Sequence, residues 1–74
     1  MTKITAVARL YHKVENPDEE TTQLNFNADY NDERNKEWSK FTPALSLGMT
    51  VLNSVADQFK LHGSYLLTFE KQED

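Results

Sequence analysis

Four runs of this 74-residue chain alternate side chains with a period of two. That pattern puts successive residues on opposite faces of an extended backbone, as in a strand with one face buried. In the first run Ile4, Ala6, Ala8, Leu10 and Val14 share a face with His12, and Thr5, Val7, Arg9, Tyr11 and Lys13 share the other. The second run sets Leu24, Phe26, Ala28 and Tyr30 against Gln23, Asn25, Asn27 and Asp29. The third sets Leu45, Leu47, Met49 and Val51 against Ser46, Gly48, Thr50 and Leu52. The fourth sets Tyr65, Leu67 and Phe69 against Ser64, Leu66, Thr68 and Glu70.

What separates the runs is also readable. Glu15-Asn16-Pro17-Asp18-Glu19-Glu20 is turn chemistry around a proline, long enough for a loose hairpin loop. From Asn31 the pattern changes: an Asn or Asp cap, early acids, then Trp38 and Phe41 three residues apart. The spacing predicts a short helix that docks both aromatics on the sheet and stops at Thr42-Pro43. Asn53 or Ser54 opens a second helix, with Ser54 and Asp57 spaced as a capping box and Val55 and Phe59 facing inward. Lys60 and His62 suit its negative end, and Gly63 suits a left-handed stop. Gly48 within the third run marks a bulge or a close approach, with Trp38 the candidate cover. The tail Gln72–Asp74 reads as frayed. The order is β-β-α-β-α-β: an α+β fold, a small four-stranded antiparallel sheet or partial barrel with two short helices, in a single small β-rich domain spanning 1–74.

A chain this short buries a small core. It has no Cys, so neither a disulfide nor a thiolate zinc site can brace it. Self-association is the remaining common brace, and a homo-oligomer is expected. The absence of Cys fits a reducing, intracellular home. The opening MTKITAVARLYHK is broken early by Arg9, His12 and Lys13, so no signal peptide is expected, and no run nears the ~20 apolar residues of a membrane span.

The net charge of −4 is unevenly spread. Residues 1–14 carry Lys3, Arg9 and Lys13 and no acid, whereas 15–37 carry eight acids against Arg34 and Lys36. That balance argues against a nucleic-acid partner, which needs clustered bases for phosphates. Catalytic parts are missing too. There is no thiol, and His12 and His62 have no evident Ser or Asp partners. Asp29, Asp32 and Glu33 lack the spacing of a calcium loop, and no Gly-rich loop could cradle a phosphate. No catalytic residue, metal or cofactor is expected. Two binding surfaces are left. One is the polar face of the first strand, where Arg9 and Lys13 could meet phosphate and Tyr11 could stack on a base. The other is the acidic loop Asp18, Glu19 and Glu20, suited to a basic partner. Trp38, Phe41, Phe59, Tyr65 and Phe69 are expected in the core.

Asn35, Trp38, Thr42, Pro43, Asn53, Ala56, Phe59, Gly63, Tyr65 and Phe69 stand in an order and spacing that resembles a family of small, mostly uncharacterised tailed-bacteriophage proteins. The likeness covers about half the chain, residues 35–69. It departs from the family pattern at Ala44-Leu45, Ser54 and Leu66, where Ser-Gly, Pro and Tyr are usual. The resemblance implies a phage origin and a small β-rich fold, and it carries over no catalytic residue. Together with the missing catalytic parts it leads to an expected non-enzymatic binding protein in the host cytoplasm. Such a protein would inhibit or sequester a host component, a host protein or a small nucleotide, as an anti-defence factor. A virion decoration or assembly protein is the alternative, and a single-stranded nucleic-acid binder stands behind both.

Overall fold

The computed structural model describes residues 3–41 and 43–73. All four runs are strands: β1 (Lys3–Asn16), β2 (Thr21–Ala28), β3 (Ser46–Leu52) and β4 (Ser64–Glu70). They form one antiparallel sheet in the order β3-β2-β1-β4, curled into a half-barrel. The first two strands therefore lie in the centre and the later two form the edges.

The helices are less than the sequence predicts. Asn31 to Phe41 yields only a 3₁₀ segment, Glu33–Glu37, and the second helix is a single turn, α1 (Asn53–Ala56). The capping box does not form. Leu52 occupies the cap position with no side-chain bond, while the Asn53 side chain is drawn away to Thr22 and Glu15. Ala56, not Val55, turns inward. Gly63 is not the left-handed residue either; His62 is, with φ 72°. Of the expected stop, Thr42 lies outside the described residues, as does Asp74 of the tail.

The concave face carries the core. Ala8, Leu10, Leu24 and Phe26 are fully buried, and Leu45, Leu47, Val51, Phe59, Tyr65 and Leu67 pack around them. Phe26, Phe59 and Tyr65 form an aromatic trio, with Phe26 edge-on to both others at 6.0 Å between centroids. The Tyr65 hydroxyl accepts from the Lys60 N–H at 2.7 Å, so its polar end is satisfied. Three expected core aromatics are not there: Phe41 is 83% exposed and Phe69 55%, and the half-buried Trp38 lies outside the cluster with its Nε1 bonded to Asn35.

One irregularity rearranges the first strand. Leu10 pairs with Phe26, but the next pair is His12 with Asn25, so Tyr11 is an extra residue in β1. A bulge of this kind reverses the facing of everything after it. His12 moves to the convex face, where Nδ1 lies 3.3 Å from Asn25 Oδ1. Val14 moves there too and is exposed. Lys13 moves to the concave face, opposite Leu24. β3 itself has an unbroken register. What approaches Gly48 is Asn25, whose Nδ2 lies 3.1 Å from where a Cβ would stand, rather than Trp38.

Candidate functional site

The convex face holds a cleft of about 290 Å³ lined by Arg9, Tyr11, Asn27, Asp29, Tyr30 and His62, with Ala28 and Asn31 completing it. The fold assembles it from three pieces. β1 supplies Arg9 and the bulged Tyr11. The end of β2 and the turn after it supply Asn27 through Asn31, since Arg9 pairs with Asn27 across the ladder. The turn entering β4 supplies His62, whose backbone N–H donates to the Leu10 carbonyl at 2.7 Å.

Arg9 is held in place rather than free. Its Nε donates to the His62 carbonyl at 3.2 Å. It forms no ion pair among the described residues, and its terminal nitrogens have no partner there. A guanidinium oriented through Nε keeps its other donors for an incoming anion, a planar fork that suits phosphate or carboxylate. Tyr11 is half exposed and stacks on His12, with centroids 6.2 Å apart and planes 19° apart. Tyr30 is also largely exposed. Asp29 is engaged locally: Oδ1 accepts from the Asn31 N–H at 3.1 Å and Oδ2 from the Ser64 hydroxyl at 3.5 Å. The cleft thus offers one oriented cation, one carboxylate, two phenol rings and amide groups in a concavity.

Of the candidate residues read from sequence, Arg9 and Tyr11 come together here. Lys13 does not. The bulge turns it to the other face, where Nζ donates to the Phe59 carbonyl at 2.9 Å. Asp18, Glu19 and Glu20 lie exposed in the β1–β2 turn, and Asp18 and Glu19 line a separate hollow with Asn16 and Pro17. Glu20 adopts φ 57°, and its carbonyl accepts from the Asn53 N–H at 3.2 Å. Asn27, Asp29, Tyr30, Asn31 and His62 are cleft residues that sequence reading passed over. Tyr30 ending a polar alternation was the available signal, since an antiparallel hairpin returns that end of β2 beside the middle of β1.

Among the described residues no three His, Asp or Glu side chains converge as a metal ion would need. No described helix is long and apolar enough to cross a membrane. No family model, curated protein or solved structure matches the chain.

Proposed function

We propose that the chain is a non-enzymatic binding protein that captures a small nucleotide in the Arg9–Tyr11–Tyr30–His62 cleft. Arg9 carries the proposal. Its Nε donates to the His62 carbonyl, and the residue lines a concavity together with Tyr11 and Tyr30. In that arrangement the guanidinium takes the phosphate and a tyrosine face takes the base. Lys13 is not part of the site. With the likeness of residues 35–69 to small phage proteins, the role that fits is sequestration of a nucleotide signal in an infected host, an anti-defence activity. A nucleotide is favoured over a protein target because Arg9 and two tyrosines share one cleft, whereas the acidic residues Asp18, Glu19 and Glu20 sit exposed on a hairpin tip.

Calorimetric titration with a panel of linear and cyclic nucleotides tests this. Saturable binding of at least one is expected, weakened at least tenfold, about 1.4 kcal/mol, by Arg9→Ala. A panel without any binding would overturn the proposal.

A further inference from the structure

We propose that a second copy of this chain covers the open seam between β3 and β4, edge to edge, so that two half-barrels form one eight-stranded barrel. The inference is independent of the convex cleft. Four strands are too few to enclose a core, whereas eight give an interior that side chains can fill. The sheet is unfinished in this sense. Neither β3 nor β4 contains a single buried residue, although both alternate as strands with a face to bury. Between them runs an apolar groove of about 420 Å³ whose walls include Leu45, Leu47, Leu67 and Phe69.

The dimensions agree. The chain exposes 5801 Å², whereas a lone folded protein of 8.6 kDa exposes about 4,700 Å². The excess, about 1,100 Å², is of the size each partner commonly contributes to a stable pair, about 800 Å². The radius of gyration is 13.9 Å, against about 11.3 Å for a compact chain of this length. The body measures 41 × 34 × 16 Å.

The edges themselves point to a like partner. Ser46–Leu52 has no charge and no proline, and Ser64–Glu70 has one charge, at its end. Strands that must stay unpaired are usually guarded by Lys, Pro or a bulge. The bulge of this sheet is in β1, at its centre. A chain of net charge −4 repels its own copy wherever acids meet. Its acids lie mostly toward the β1–β2 turn, around the 3₁₀ segment and at the tail, with Asp57 after α1 and Glu70 at the end of β4, and the residues lining the groove carry no charge.

Sedimentation equilibrium over roughly 5–200 µM, a range spanning common micromolar affinities, should give twice the 8.6 kDa chain mass. Met49→Lys on β3 and Phe69→Lys on β4, both partly exposed, should each return the mass to one chain while keeping the strand signal in circular dichroism. Val14→Lys, on the convex face away from the seam, should leave the pair intact. Amide exchange in wild-type β3 and β4 should slow as concentration rises, which tests the seam even if a variant fails to fold. A wild type at the mass of one chain throughout would leave the seam to some other partner and overturn the proposal. So would a pair that survives both lysines, or edge amides insensitive to concentration.

Discussion

The Asn35 side chain replaces a missing piece of strand beside Val7. Its Oδ1 accepts from the Val7 N–H at 2.7 Å and its Nδ2 donates to the Val7 carbonyl at 2.9 Å. β2 ends at Ala28, opposite Ala8; past it the Asp29 N–H still donates to the Val7 carbonyl at 3.0 Å, while the Val7 N–H turns to the Asn35 side chain. Asn35 supplies one donor and one acceptor there, as a backbone unit would. Its remaining capacity is also filled, Nδ2 by the Asp29 carbonyl at 2.9 Å and Oδ1 by Trp38 Nε1 at 3.1 Å. The residue is fully buried. It pins the segment after β2 to the sheet, and with it the wall of the cleft that contains Asp29, Tyr30 and Asn31.

Asn35→Ala should therefore cost about 1–3 kcal/mol, because the buried Val7 N–H and the part-buried Asp29 carbonyl and Trp38 Nε1 lose their partner together, while the Val7 carbonyl keeps the Asp29 N–H. Asn35→Asp should not rescue it, since the carboxylate keeps the acceptor but loses the donor and buries a charge. Urea unfolding of both variants checks this, and a loss under about 0.5 kcal/mol, the range of an ordinary surface change, would remove Asn35 from its role.

Asp32 gives a pH signature. Its carboxylate takes bonds from the Arg34 side chain at 2.9 and 2.8 Å and from the Arg34 N–H at 2.9 Å. These hold its pKa down to about 2. A depressed carboxylate stabilises the fold above its unfolded value, about 3.9, and that contribution is lost as pH falls toward 2. Carboxyl NMR should show Asp32 titrating near 2, with the 3₁₀ segment loosening between about pH 4 and 2. Asp32→Asn should abolish that transition.

The turn into β4 separates two backbone effects. A methyl at Gly63 would stand 3.0 Å from the Lys60 carbonyl and 3.3 Å from the Tyr65 ring. Gly63→Ala should cost about 1–3 kcal/mol through overpacking. His62, at φ 72°, is the residue under conformational strain. His62→Gly should be neutral or stabilise by up to about 1 kcal/mol, since His62 bonds to Leu10 and Arg9 through its backbone. Thermal unfolding of the pair checks the contrast.

The strands were legible because alternation is a local pattern that burial enforces, and β2 shows it cleanly. The bulge at Tyr11 was not, since one extra residue leaves no mark in a run that alternates on both sides of it. Only the interruption at His12 hinted that the inward face ended there. That single residue decided half of the candidate site: Arg9 and Tyr11 stay together, and Lys13 leaves. The helices failed for a related reason. Five to eleven residues with good caps can be claimed by side-chain bonds to the sheet, as Asn35 is by Val7 and Asn53 by Thr22. Phe41 read as core on its size, yet it lies exposed with Lys40 Nζ 5.5 Å above its ring.

The most direct test of the binding account is amide and side-chain chemical-shift mapping during titration with a nucleotide from the calorimetric panel. The largest shifts are predicted at Tyr11, Asn27, Tyr30, Asn31, His62 and the Arg9 guanidinium, and Arg9→Ala should erase them without disturbing the Phe26–Phe59–Tyr65 ring-current signals. Shifts centred instead on Asp18, Glu19 and Glu20 or on Leu45 and Leu47, or no saturable shifts at all, would contradict it.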